Sequence, residues 1–130
     1  MRFRKFTAIS AAFVIFASSS AFAQMAPAKT GDTSKGKTLL DNKGMTLYVF
    51  DKDAGGKSMC NNRCAENWPA LMASADAKAE ASGRWTVLAR DDGKMMWAYK
   101  GKPLYTWKND KAPGDTTGDG VNGTWHVATP

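Results

Sequence analysis

The sequence is poor in the residue types that build metal and disulfide centres, with two Cys and one His in 130 residues. One His excludes a centre made of several imidazoles, such as a three-His zinc site. Two Cys exclude a four-thiolate metal site and a scaffold held by several disulfides. A G-x-S-x-G segment is also missing, so a Ser–His hydrolase has no nucleophile motif.

The N-terminal apolar run is too short to cross a membrane. Ala8–Ala17 would rise about 15 Å as a helix, whereas a bilayer core is about 30 Å thick. Three basic residues precede this run and Ala21-Phe22-Ala23 follows it, which is the pattern of a secretory signal peptide. We expect a signal peptide over 1–23, cleavage after Ala23 and no transmembrane segment afterwards. The cleavage junction has no Cys for lipid attachment.

Half of the net positive charge belongs to the expected signal peptide. The formal net charge falls from +6 to +3, because three basic residues and no acidic residue leave with the signal peptide. The remainder has no Lys/Arg run, so we expect no nucleic-acid partner. The polar stretch 24–37 is typical of a flexible leader, and 38–130 is the length of one domain.

The sequence repeats itself at an offset of 57 residues. Each copy reads G-x-x-L-Y-x-aromatic-x-x-D, and a Trp follows after fourteen further residues. The matched pairs are Tyr48 and Tyr105, Phe50 and Trp107, Asp53 and Asp110, and Trp68 and Trp125. A unit of about 50 residues buries too little surface to fold alone. We therefore expect one domain whose two repeats, about 38–70 and 95–127, share a core.

Local patterns predict a mainly β fold of short antiparallel strands in two pseudo-symmetric halves, with one or two short helices. Strands 39–41 and 45–50 flank a turn that contains Gly44, and 84–107 reads as a three-stranded meander. Segment 61–68 has the signals of two helical turns. Segment 70–81 fits either a helix or a loop, because its apolar face is irregular.

Several motifs together resemble one bacterial family, the "secreted repeat of unknown function", described as predicted lipoproteins with a Y-x-[FWY]-x-x-D motif. The motifs that carry the resemblance are Tyr48–Asp53, Tyr105–Asp110, Cys60-x-x-x-Cys64, Trp68-Pro69, Arg90–Gly93, Gly101–Tyr105 and Asp115–Gly120. The resemblance implies an exported bacterial protein and brings no catalytic residues. This chain lacks a lipobox Cys, which favours a soluble periplasmic or secreted product.

Two interpretations of the cysteines stay open. Two nearby Cys in an exported protein favour a disulfide between Cys60 and Cys64. The alternative is a copper site in which His126 joins the two thiolates, since soft thiolate and imidazole ligands suit copper.

Segment 115–126 carries a weaker metal signal. Asp115, Thr117 and Asp119 are spaced like the first oxygen ligands of a calcium loop, and a Gly follows them. However, His126 stands where the bidentate Glu belongs, so calcium is a less favoured alternative than copper.

The remaining chemistry-bearing residues have structural explanations. Aromatic rings exposed in a row could stack on the sugars of a cell-wall polymer. However, a small domain needs its large side chains in the core. The pairs Asp51/Asp53 and Asp91/Asp92 could serve hydrolysis, but aspartates near turns usually cap them. We therefore expect a non-catalytic binding or interaction module of the cell envelope, without a cofactor. Its partner is an unknown envelope component or small ligand, and a periplasmic redox or copper protein is the alternative.

Overall fold

The computed structural model describes residues 27–130, so the expected signal peptide lies outside the described residues. Within these residues, seven strands, one α-helix and one 3₁₀ turn follow one another. They are β1 (Ala28–Thr33), β2 (Gly36–Asp41), β3 (Tyr48–Phe50), α1 (Arg63–Asn67), β4 (Trp85–Ala89), β5 (Met95–Tyr99), β6 (Lys102–Pro103), the 3₁₀ turn (Val121–Gly123) and β7 (Trp125–Val127). No helix among these residues is long and apolar enough to span a bilayer.

The fold is mainly β, as predicted, and its strands form three small sheets. The sheets are β1-β2, β3-β7 and β4-β5-β6, and all their pairings are antiparallel. The last sheet is a three-stranded meander, as the sequence predicts, but its third strand is Lys102–Pro103, and 104–107 contains no strand because Tyr105 there pairs with the first repeat instead. Pro103 lies in the two-residue strand β6, next to the turn, where a residue without an N–H is tolerated.

The expectation of a flexible leader over 24–37 is corrected by the structure for residues 28–37. Six residues of β1 pair with β2, from Ala28 opposite Asp41 to Thr33 opposite Gly36. Ala28 is buried in the core, and it is the one buried residue among the six of β1. A strand that buries one residue in six keeps a polar composition, and this composition resembles that of a leader.

Backbone pairing joins each half of the chain to the other half. Strand β3 of the first repeat pairs with β7 of the second, with Tyr48 opposite Val127. Correspondingly, Tyr105 of the second repeat pairs with Ala70 of the first. At the centre, Tyr48 N donates to Tyr105 O at 2.7 Å and Tyr105 N donates to Tyr48 O at 3.0 Å. The halves are therefore interlocked about a pseudo-two-fold axis through this pair.

Segments 61–68 and 70–81 contain one short helix between them. Helix α1 is a single turn of five residues, and Trp68 N closes it by donating to Cys64 O just before Pro69. Residues 70–81 contain no helix. Instead, Ala70 and Met72 make isolated bridges to the second half. The irregular apolar pattern of this segment suits an extended chain lying across strands rather than a helix with one apolar face.

The core consists of two clusters of buried residues. One surrounds Leu47, Leu104 and Trp85. The other surrounds Tyr48, Tyr105 and the paired repeat Trp residues. Both clusters draw side chains from both repeats, so neither half has a core of its own.

Candidate functional site

Four aromatic rings form one stack across the boundary between the repeats. Their order is Phe50, Trp125, Trp68 and Trp107, and successive ring centroids lie 4.2, 3.8 and 4.0 Å apart. The rings come alternately from the first and the second repeat. Tyr48 and Tyr105 pack edge-on against the two central rings. The two central Trp residues and both Tyr are buried, which makes the middle of the stack part of the core.

Each motif Tyr donates a hydrogen bond to the motif Asp of the other repeat. Tyr48 Oη lies 2.6 Å from Asp110 Oδ2, and Tyr105 Oη lies 2.7 Å from Asp53 Oδ2. The Tyr and Asp of one Y-x-[FWY]-x-x-D motif are therefore not partners of each other. Both Tyr–Asp hydrogen bonds therefore form only when the two repeats pack together.

Burial keeps the phenol of each pair protonated. It raises the pKa of both phenols well above the ordinary value, and the neighbouring carboxylate raises it further. Burial also raises the pKa of Asp53, against the opposing effect of the hydrogen bonds from Tyr105 and Met59 N. Each Tyr stays a neutral donor. We call each of these Tyr–Asp hydrogen bonds, Tyr48–Asp110 and Tyr105–Asp53, a clasp between the halves.

The cysteines form a disulfide, Cys60–Cys64, and the described part of the chain holds no free Cys. Cys60 is fully buried and Cys64 is half-buried, and both pack against the aromatic cluster. The bridge spans the start of α1 and fixes the loop that leads to Trp68. In this state the sulfurs are not free thiolate ligands for copper.

The structure does not bring His126 to the cysteines. Trp125 enters the aromatic stack, whereas the next residue along β7, His126, is exposed. Its Nε2 lies 2.8 Å from Asp51 Oδ2, a hydrogen-bond distance. Within residues 27–130 no group of three or more His, Cys, Asp or Glu side chains is placed to hold a metal ion.

The three residues of the possible calcium loop point to separate partners. Asp115 Oδ2 accepts from the backbone N–H groups of Lys111 and Ala112, and these bonds lower the pKa of this carboxyl. Thr117 Oγ1 donates to Asp110 at 2.6 Å. Asp119 Oδ1 accepts from Val127 N at 3.0 Å. These side chains tie the loop to the fold, and they do not converge on one point.

Arg90 is a buried residue whose role was not visible in the sequence, where it reads as part of a turn. Its guanidinium donates to Cys60 O at 2.9 Å and lies 3.4 Å from Ser58 Oγ. Ser58 in turn lies 2.7 Å from Tyr105 Oη. A buried Arg is expected to be hydrogen-bonded in this way, because its charge is costly to desolvate. Arg90 connects the disulfide loop to one Tyr–Asp pair.

A cleft of about 310 Å³ lies beside β3 and β7. Val49, Leu104 and Val127 supply apolar side chains to its lining, and Tyr99 adds an aromatic ring. Its polar lining includes the charged side chains of Lys100, Lys102 and Asp51, together with the imidazole of His126. A smaller cleft shares Val49, Asp51 and Lys102 with it. Apolar walls with a few polar groups are the usual composition of a small-ligand site, and this volume is at the small end of the usual range.

The fold and these contacts define a β domain made of two interlocked repeats. A family model described as "secreted repeat of unknown function" matches residues 29–72 and 86–129. The matched segments begin at 29 and 86 and end at 72 and 129, so the two copies are 57 residues apart at both ends. The chain belongs to this family of secreted repeats. No curated protein and no solved structure matches it.

Proposed function

We propose that this secreted-repeat protein is a non-catalytic binding module of the bacterial cell envelope that holds a small envelope molecule in the cleft beside β3 and β7. The observation that carries the proposal is the composition of the cleft, in which an apolar surface meets charged side chains. The walls rest on Leu104 and Ala128, which are fully or almost fully buried. A rigid support of this kind keeps a site pre-organised and lowers the entropic cost of binding.

The two repeats differ at this cleft although they agree in the core. At the offset of 57 residues, Asp51 corresponds to Lys108 and His126 to Pro69. The hydrogen bond between Asp51 and His126 therefore has no counterpart in the other half. A pseudo-symmetric fold needs matching residues where its halves meet. A single binding site needs its own residues in one half only. This difference supports a site on one side of the molecule.

The experiment is native mass spectrometry of the protein recovered from the cell envelope without denaturant. A stoichiometric non-covalent small-molecule adduct is expected. The variant Val49→Phe is expected to lose it, because the larger ring fills the cleft. Thr106→Phe is the matched control, since Thr106 occupies the equivalent sequence position in the other repeat and does not line this cleft.

An adduct that both variants keep would contradict the proposed site. A recovered protein that carries no small molecule would contradict the proposed function itself. Circular dichroism of both variants shows whether the substitutions leave the fold intact.

A further inference from the structure

The cationic groups of the cleft are concentrated at the turn between β5 and β6. This turn consists of Lys100 and Gly101, and both have positive φ, at 49° and 80°. Tyr99 and Lys102 pair on either side of it. A two-residue hairpin turn with this backbone favours Asn at its first position, because Asn tolerates the left-handed conformation better than Lys does.

Lys100 is an exception among the described residues. The other non-Gly residues with positive φ are Asn62 and Asn122. Only Lys100 carries a long cationic side chain in this conformation, and its Nζ lies 5.4 Å from the ring centroid of Tyr99. Both residues line the cleft. A residue held in an unfavourable backbone conformation next to a cleft points to a requirement for its side chain.

The one acidic side chain that lines this cleft is already hydrogen-bonded. Asp51 lies 2.8 Å from His126 Nε2. The ammonium groups of Lys100 and Lys102 have no carboxylate partner among the described residues. The cleft therefore offers two cations without a carboxylate partner among the described residues, next to an apolar surface made by Val49 and Val127.

We propose that the ligand of this cleft is a small anion with an apolar body: a carboxylate or phosphate group between Lys100 and Lys102, joined to a short hydrocarbon portion against Val49 and Val127. This inference rests on the proposed binding function and adds the chemical class of the ligand. Charge-assisted hydrogen bonds from the two ammonium groups bind the anion, and burial of apolar area binds the body.

The test is isothermal titration calorimetry of the whole protein with octanoate, octanol and acetate. Octanoate is expected to bind at least about ten-fold more tightly than octanol or acetate, because only octanoate engages both parts of the cleft. Lys102→Ala is expected to weaken octanoate binding by about ten-fold. Lys43→Ala, in the corresponding turn of the first repeat, is expected to leave it unchanged.

Lys100→Asn separates a ligand role from a structural role. Asn suits the left-handed conformation, so this variant is expected to raise the midpoint of thermal unfolding while it weakens octanoate binding. A purely structural role of the turn predicts that octanoate affinity stays constant as stability rises. That result would overturn the inference, as would equal binding of octanol and octanoate.

Two further results separate the anion inference from the proposed binding function and identify the source of the anion. If octanol bound as tightly as octanoate, and Val49→Phe abolished its binding, the anion inference would be overturned. The proposed binding function would still stand. Sedimentation with phosphatidylglycerol vesicles compares the sources of the anion. If the protein pellets with the vesicles and this requires Lys100 and Lys102, the anion is a lipid headgroup. If octanoate binds but the protein does not pellet, the anion is a free acid.

Discussion

At the scale of single residues, the Y-x-[FWY]-x-x-D motif acts through contacts between repeats. Tyr48 reaches Asp110 and Tyr105 reaches Asp53, so each motif supplies half of two clasps. The aromatic position of the motif supplies Phe50 to one end of the ring stack and its counterpart in the second repeat to the other end. Packing thereby explains the Tyr, aromatic and Asp positions of the motif, whereas the cleft uses two of its variable positions, Val49 and Asp51.

Removing one clasp hydroxyl is predicted to destabilise the fold. Tyr48→Phe leaves the buried carboxylate of Asp110 without its phenol donor, and a hydrogen bond to a charged group contributes about 1.5–3 kcal/mol. We expect a loss of this size in the free energy of unfolding, measured by urea denaturation. Tyr99→Phe is the control, because the Tyr99 hydroxyl makes no hydrogen bond with the described residues. Equal effects of the two variants would contradict the clasp.

Gly118 is predicted to tolerate no side chain. A Cβ at this position would lie 2.9 Å from Trp68 and from Tyr48, and 3.0 Å from Trp107. Overpacking against such rings costs about 1–3 kcal/mol. We expect Gly118→Ala to lower the unfolding free energy by this amount. Gly31→Ala is the matched control, since its Cβ meets the movable end of the Leu40 side chain. A larger loss at Gly31 would contradict this packing argument.

The loop carboxylate of Asp115 is predicted to make stability depend on acid pH. Hydrogen bonds from Lys111 N and Ala112 N lower its pKa in the folded state. Its contribution is present above the ordinary carboxyl pKa of about 3.9 and is lost as the pH falls through the lowered folded pKa. Asp115→Asn keeps an acceptor oxygen and removes the charge. The variant is expected to melt below the original protein at neutral pH, and the difference should shrink in acid.

A difference in melting temperature that stays constant across the pH range would show that the charge is not involved. Asp32→Asn provides the comparison, because Asp32 is an exposed carboxylate of β1 that accepts no backbone hydrogen bond from the described residues.

At the scale of elements, the β1–β2 hairpin is part of the folded domain. It buries Ala28 in the same cluster as Leu39 and Trp85. Strand β2 also connects to the end of the chain, since Leu39 N donates to Ala128 O at 2.8 Å. The hairpin therefore packs on the core at the place where the last residues return.

Removing β1 is predicted to lower stability. A chain that begins at Ser34 lacks the strand, whereas a chain that begins at Ala28 keeps it. We expect the shorter chain to melt at a lower temperature in circular dichroism, because β2 loses its six paired residues and the core loses Ala28. A flexible leader would predict equal melting of the two chains.

At the scale of the whole molecule, the exchange of strands makes the halves dependent on each other. The central Tyr pair, the ring stack and both clasps all cross the boundary. The link 73–84 contains no helix or strand, so it is the natural place to divide the chain.

Separate halves are predicted to fold only when they are combined. Fragments 28–80 and 81–130 should each lack the near-ultraviolet dichroism of packed Trp residues, and an equimolar mixture should regain it. Tyr48→Phe in the first fragment should weaken this association, since it removes a clasp across the boundary. A fragment that folds alone would contradict the shared core.

The sequence by itself determined the repeat, its offset, the β class, the meander and the proximity of the cysteines, because these depend on local spacing and alternation. The polar strand β1 was not predicted, since a strand that buries one residue in six has no apolar alternation to read. Only the tertiary structure decided that each Tyr pairs with the Asp of the other repeat. It also decided that His126 faces Asp51 and not the cysteines, and that Lys100 borders a cleft. These are contacts between residues far apart in the chain, and they are set by how the two halves pack.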